Sequence, residues 1–328
     1  MKQILVSGMQ PTGRLHIGNY LGALRNFVDL QNSGDYACYF FIVDLHSLTE
    51  NFDPREKHAQ ILDLAADYLA AGLDPKKSVL FLQSLVPAHS ELAWILNTVA
   101  PMGELERMTQ YKDKASRQSA NVNAGLFTYP VLMASDILLY DPHVVPVGDD
   151  QRQHLELTRS LARRFNGRFG ETFREPKDLL TRIPRVMSLK DPSKKMSKSQ
   201  PEGCLFLDDT PEEIAQKIAR AVTDSGSDVT YDRAKKPGLA NLIDIYAALT
   251  HMEPRTVAEE FGGKKYSQFK MSLAEVVAGY FADFRARKAA LLRNPKRLAS
   301  ILRAGSKKAD VVARRKMRAV SERVGIAF

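Results

Sequence analysis

Through the first 200 residues, short apolar runs alternate with longer stretches in which apolar residues recur every three to four positions. Continuous or period-two apolar runs of four to eight residues predict strands, and the 3.6-residue period predicts helices. On this basis strands are expected at 4–7, 39–44, 79–83, 144–147 and 185–189, and helices at about 54–71, 89–99, 128–140 and 151–165. Tyr39-Phe40-Phe41-Ile42-Val43 is apolar throughout, as suits a central strand buried on both faces. Asp53-Pro54 and Thr210-Pro211 are cap-then-proline helix starts. Strand and helix in alternation build a parallel sheet with covering helices, so the fold class expected is α/β and Rossmann-like. From Pro201 onward helix follows helix, which marks a second, all-helical unit and places the division at 1–200 and 201–328.

The first strand runs into Gly8-Met9-Gln10-Pro11-Thr12-Gly13-Arg14-Leu15-His16-Ile17-Gly18-Asn19-Tyr20, and an amphipathic run follows from Leu21 to Leu30. Strand, glycine loop and helix start together offer close backbone approach and unpaired N–H groups, a setting that suits a nucleotide phosphate. The spacing is neither the dinucleotide fingerprint nor a Gly-Lys-Ser/Thr phosphate loop. Ligands of such sheets gather beyond the carboxyl ends of the strands. The glycine loop follows the first predicted strand, His46 the second, Gln83-Ser84 the third and Gly148-Asp149-Asp150-Gln151 the fourth, so their polar groups converge on one crevice.

Charge adds a second theme. The 328 residues carry a net charge of +9, of which residues 201–328 supply +7, with 23 Lys/Arg against 16 Asp/Glu. From Arg285 the balance is 14 basic to 2 acidic residues. Such a tail reads either as a solvated helical surface or as a polyanion contact, and its scarcity of aromatics favours tracking a nucleic-acid backbone over stacking bases. Cys38 and Cys204 do not have paired zinc spacing and read as packing residues in a reducing compartment; no metal site is expected. No apolar run reaches the roughly 20 residues of a membrane helix, and a cytoplasmic protein is expected.

After the fifth predicted strand comes Asp191-Pro192-Ser193-Lys194-Lys195-Met196-Ser197-Lys198-Ser199-Gln200, a polar loop whose lysines are able to close on a polyphosphate. Lys-Met-Ser-Lys-Ser, preceded by Pro-Thr-Gly-x-Leu-His-Ile-Gly-Asn after a first strand, resembles the signature pair of class I aminoacyl-tRNA synthetases. The runs Gly18 to Leu24, Gly103 to Gln110, Tyr129 to Tyr140 and Val147 to Gln151 are similar to the bacterial-type tryptophanyl-tRNA synthetase family, with the similarity strongest over residues 2 to 250. Asn19 stands where the general class pattern has a second histidine, as is usual for the tryptophan family. His16 stands where many bacterial tryptophan enzymes carry threonine.

This resemblance implies tryptophan activation by ATP with Mg²⁺ as co-substrate, followed by transfer to tRNA(Trp). Gln10, Pro11, Thr12, His16, Gly18 and Asn19 would form the fixed side of the ATP site, with Lys195, Met196, Ser197, Lys198 and Ser199 as its mobile side. Catalytic roles fall on Gln10, His16, Lys195 and Lys198. Gly148, Asp149, Asp150 and Val186 would meet the ribose and adenine, and Lys112 and Lys114 are candidates to reach the triphosphate. The family also implies a homodimer built on an insertion at about 101–182, with the helical unit at the anticodon end of the tRNA.

The amino-acid pocket has a physical argument of its own. On a helix spanning 128–140, Tyr129, Met133, Asp136 and Tyr140 share a face, giving an apolar slot with one carboxylate to accept an indole N–H. Gly8, His46, Val145, Val147 and Gln151 complete the candidate pocket, with Gln151 placed for the substrate ammonium or carboxylate. Three alternatives stay open: a tyrosine-specific relative, because a phenol also donates a hydrogen bond; a non-catalytic synthetase-like RNA-binding protein; and a small-metabolite nucleotidyltransferase.

Overall fold

The computed structural model describes residues 2–112, 122–148, 151–180 and 185–328; Asp149, Asp150 and Lys114 lie outside them. Strand β1 (Gln3–Met9) leads through the glycine loop to a helical stretch that starts at Ile17–Asn19, widens into a π-helical turn at Tyr20–Leu24 and continues as α1 (Arg25–Ser33). Then follow β2 (Tyr36–Ile42), α2 (Pro54–Ala71), β3 (Val79–Leu82), α3 (Ala88–Asn97), α4 (Met102–Glu106), α5 (Ala124–Leu138), β4 (Val144–Val147), α6 (Arg152–Phe169) and β5 (Lys177–Leu180). The rest is helical: α7 (Pro211–Arg220), α8 (Pro237–Thr250), α9 (Pro254–Glu260), α10 (Tyr266–Tyr280), α11 (Ala282–Leu292) and α12 (Pro295–Val324).

Local chemistry sets several of these boundaries. Asp53 caps α2 by accepting from the Arg55 amide at 2.9 Å, Pro54 occupies the first turn, and Gly72 ends the helix in the left-handed conformation. Thr210 and Glu213 form a reciprocal capping box at the start of α7.

All five strands are parallel, in the order β3-β2-β1-β4-β5. The order reverses between β1 and β4, so the ligand crevice of this topology opens beyond their carboxyl ends. β1 pairs with β2 from Gln3↔Tyr36 to Met9↔Ile42, but meets β4 in register at Leu5↔Val144 alone among the described residues. Alternate strand residues serve two cores: Leu5, Phe40 and Ile42 pack with Leu21, Leu24, Phe27 and Tyr68 on one face, and Val6, Phe41 and Phe81 with Leu92, Val131, Leu138 and Phe165 on the other.

The strand expected at 185–189 does not join the sheet. The fifth strand is Lys177–Leu180, whereas Val186 to Ser188 make their backbone bonds with the lysine loop and with the side chain of Asn241 in α8. The helical unit also contributes to both cores, Leu239, Phe269 and Phe281 to one and Ala309, Ala313 and Met317 to the other. Helix α12 lies along the edge strand β3. Leu82 donates its amide to the Ser306 hydroxyl at 3.2 Å, and a Cβ placed on Gly305 would stand 1.7 Å from the Leu80 carbonyl oxygen, so only glycine allows this approach.

Candidate active site

The glycine loop and the lysine loop, 185 residues apart in sequence, touch directly: the Lys198 ammonium donates to the Gly13 carbonyl at 2.9 Å. Gly13 takes φ +96°, a left-handed turn that a side chain would strain. Backbone bonds stitch the same loop to the segment after the lysines, Ile17 N–H to Leu205 O at 2.8 Å and Leu207 N–H to Leu15 O at 3.0 Å. Burial pulls the Lys198 ammonium down to about 8, against the upward pull of Asp67 and Asp63.

His16 caps the helix that opens at Ile17. Its Nδ1 accepts the Asn19 amide at 3.3 Å, while Asn19 Oδ1 accepts the His16 amide at 3.1 Å. The neutral imidazole therefore carries its proton on Nε2 and offers that group as a donor. Burial, helped by the charges of Lys198 and Lys195, pulls His16 down to about 3. Unfolded, this histidine titrates near 6.5. As pH falls from about 6.5 toward 3, the unfolded chain gains a proton that the folded chain refuses, and stability declines. Between about pH 7 and about pH 4.5 the wild type is expected to lose about 2 kcal/mol more stability than His16→Thr, in which a hydroxyl keeps the cap. Urea unfolding at the two pH values checks this, and equal losses in the two proteins contradict it.

The lysine loop is held from behind. Met196 donates its amide to Val186 O at 3.1 Å and Ser188 donates to Lys194 O at 2.8 Å. Asn241 of α8 grips the opposite edge of the same segment: its Oδ1 accepts the Met187 amide at 2.8 Å and its Nδ2 donates to Met187 O at 3.0 Å. Val186 and Met196 are buried, so their side chains anchor the loop, and Cys204, which the sequence presents as plain packing, donates its thiol to Ser197 O at 3.1 Å. Lys195 and Ser199 are exposed, and the Ser197 and Ser199 hydroxyls meet at 2.9 Å. Pro11 is buried, and Gln10, Thr12, Gly18 and Asn19 are partly so.

On the other side of the crevice Asp136 is 2% exposed and takes three side-chain hydrogen bonds. His46 Nε2 donates to its Oδ2 at 2.8 Å, and His89 Nδ1 and Gln83 Nε2 donate to its Oδ1 at 2.6 and 2.7 Å. Tyr140, expected to share the pocket face, lies beyond the end of α5 and donates its hydroxyl to His89 Nε2 at 2.8 Å from within the core. Gln83 Oε1 accepts the Leu45 amide at 3.1 Å, which fixes the orientation of its amide. Burial pushes the Asp136 carboxyl up, but the hydrogen bonds from His46 and His89 outweigh it and hold Asp136 below the usual range. Met133 packs with Val145 and Val147, and Tyr129 shares a 2.9 Å hydrogen bond with His154 while His46 meets its ring edge-on. Gly8 lies in β1 opposite Phe41, and Gln151 precedes α6 with its amide on Gly148 O at 2.9 Å. Lys112 is exposed.

Sequence reasoning does not pick out His89, His154 or Asn241. Their available signal is a polar residue at a buried helical position, visible only once the burying face is known.

Residues 2–282 match the family of class I tRNA synthetases (W and Y). A tryptophan–tRNA ligase of Caldanaerobacter subterraneus subsp. tengcongensis is 49% identical over 99% of both chains, and one of Bacillus anthracis is 47% identical over 99% of this chain and 98% of its own. The crystal structure of a tryptophanyl-tRNA synthetase from Campylobacter jejuni, complexed with ADP and tryptophan, superimposes with a TM-score of 0.85 at 37% identity, covering 98% of this chain and 99% of that one. The Mycoplasma pneumoniae tryptophanyl-tRNA synthetase gives 0.87 at 36%, covering 99% and 98%. With both signature segments in contact at the switch point of a parallel sheet, the chain belongs to the class I tRNA synthetases of the tryptophan and tyrosine family.

Proposed function

We propose that this chain is a tryptophan–tRNA ligase. The tryptophan carboxylate attacks the α-phosphorus of ATP, the bond to the β-phosphate oxygen breaks, and pyrophosphate leaves. A ribose hydroxyl at the 3′ end of tRNA(Trp) then attacks the adenylate carbonyl and releases AMP. No protein nucleophile is needed, so positioning and charge stabilisation provide the catalysis. The observation that carries this reading is the Lys198–Gly13 contact, which sets the mobile lysine against the glycine loop beside His16.

In this reading Gln10, Pro11, Thr12, Gly18 and Asn19 line the phosphates, and His16 donates Nε2–H to one of them. Lys198 leaves Gly13 for the triphosphate, and Lys195, Met196, Ser197 and Ser199 move with it. Gly148, Asp149, Asp150 and Val186 receive the nucleoside. Mg²⁺ brought in as part of the ATP co-substrate would neutralise some of the phosphate charge. Asp136, held by His46, His89 and Gln83, accepts the indole N–H, while Tyr129, Met133, Val145, Val147, Gly8 and Gln151 shape the slot and hold the amino-acid head.

Residues 1–200 then serve catalysis and 201–328 the anticodon side of the tRNA. The outward face of α12 carries Arg303, Lys307, Lys308, Arg314, Arg315 and Arg318, all exposed, and this row supports a contact with the tRNA backbone. Trp94 and Met102, 74% and 62% exposed on α3 and α4, give apolar surface for a second copy. Among the described residues no helix is long and apolar enough to cross a membrane.

Pyrophosphate exchange with a panel of amino acids tests the assignment. Tryptophan is expected to support exchange about 10³-fold better than tyrosine in kcat/KM, because each substrate group the slot is built to pair contributes a large factor. Preferential activation of tyrosine overturns it.

A further inference from the structure

Of the 14 basic residues from Arg285 onward, one is withdrawn from the surface altogether. Lys288 of α11 is 3% exposed, and its ammonium lies 2.9 Å from Asp63, 2.8 Å from Asp67 and 2.9 Å from Asp208. Asp63 and Asp67 stand one turn apart on α2, and Asp208 lies just past the segment that stitches the glycine loop. Asp208 in turn holds Arg14 of that loop, accepting from Nε at 2.8 Å and lying 2.6 Å from a terminal nitrogen. Arg14 also reaches Asp209 at 2.9 Å and sits over the Phe206 ring, 4.4 Å from its centroid. The residue before Arg14 is Gly13, whose carbonyl receives Lys198. A path of charged contacts thus runs from a helix of the C-terminal unit to Arg14, the chain neighbour of the glycine on which the two signature loops meet.

Stability alone is a weak reason for such a cluster, because a buried ion pair is often replaceable by apolar residues without loss. One carboxylate would also suffice to neutralise one ammonium, yet three converge on Lys288. Asp67, 1% exposed, has Lys288 as its partner, whereas Asp63 and Asp208 keep about a quarter of their side-chain surface in water.

We propose that Lys288 is a positioning residue for the ATP site: by holding Asp208 it fixes Arg14, and with Arg14 the Gly13 carbonyl on which Lys198 rests. This rests on the reading of the glycine and lysine loops as the two sides of the ATP site. Its consequence is that the placement of α11 against α2 sets the geometry of the phosphate loop, so the helical unit acts on ATP without touching it.

Removing Lys288 alone strands Asp67. Burial pushes that carboxyl up to about 7 even with the ammonium beside it, so the lone variant Lys288→Met mixes a protonation change with the loss of the link. The informative protein is therefore Lys288→Met with Asp67→Asn, in which Asp63 and Asp208 stay hydrated. In tryptophan-dependent pyrophosphate exchange with the full chain, this pair is expected to raise KM for ATP about tenfold and to leave KM for tryptophan within about twofold. Arg14→Met in the wild type is expected to give a similar rise, and adding it to the pair to give no further one, since both act through one link.

A paired variant with lowered melting temperature but unchanged KM for ATP assigns Lys288 a purely structural role and overturns the proposal. Additive effects of Arg14→Met and the pair overturn it as well. Lys198→Ala in the wild-type background tells a failure of the ATP site from a failure of the link. If that variant exchanges normally, the reading of the ATP site falls; if it is impaired while the pair keeps its KM for ATP, only the role of Lys288 falls.

Discussion

Replacing Lys198 with alanine is expected to lower kcat for tryptophan-dependent pyrophosphate exchange by about 10²–10³-fold, the usual consequence of deleting one preorganised donor to a developing oxyanion. KM for tryptophan should stay within about twofold, because Lys198 lies on the glycine-loop side of the crevice and Asp136 on the other. The ammonium is half-buried, bonded to the Gly13 carbonyl, and close enough to Asp67 and Asp63 for their charges to raise its affinity for a proton against burial. Its reach therefore already coincides with the loop that lines the phosphates. Pre-steady-state formation of the adenylate isolates the chemical step. A rate within about threefold of wild type there sinks the clamp.

Asp136→Asn is expected to lower kcat/KM for tryptophan by about 100-fold and to narrow the preference for tryptophan over phenylalanine. Asparagine keeps the volume but offers only one acceptor atom where the carboxylate now serves His46, His89 and Gln83. Asp136→Ala is the less informative change, since it leaves two imidazoles and an amide buried without their shared acceptor and costs about 3–5 kcal/mol in stability. Competition between tryptophan and phenylalanine in the exchange assay reads the effect. Discrimination equal to wild type removes Asp136 from indole recognition.

Much of this site was legible in the sequence because its two loops carry distinctive residues at fixed places relative to strands. The dense apolar run expected as a strand at 39–44 is one, shifted toward the amino terminus at Tyr36–Ile42, and Val144–Val147 was placed to the residue. The fifth strand was not legible. Lys177-Asp178-Leu179-Leu180 is short and half polar because it forms an edge, while Val186-Met187-Ser188-Leu189 has the look of a strand but exchanges its hydrogen bonds with Lys194, Met196 and the Asn241 amide. His46 and Gln83 were legible as crevice residues from their places after two strands, but their bonds to Asp136, and His89 altogether, were hidden for a different reason. His46, Gln83 and His89 lie 90, 53 and 47 residues away, and no local period encodes such distances. Lys288 was masked by its neighbours: in a basic run it reads as surface, although Phe284, one helical turn earlier, marks the buried face of the same helix.

The strap that α12 lays along β3 also bears on how the chain comes off the ribosome. β3 is complete by residue 82, but the helix that covers its open edge begins at Pro295. During most of synthesis the sheet thus emerges with one row of backbone donors and acceptors uncovered, the kind of edge that recruits other strands. Long-range closure of this kind is slow compared with local helix formation. Chains cut short before Pro295 would carry both signature loops and yet lack the element that seals the sheet, so premature termination should yield aggregating fragments rather than smaller working enzymes.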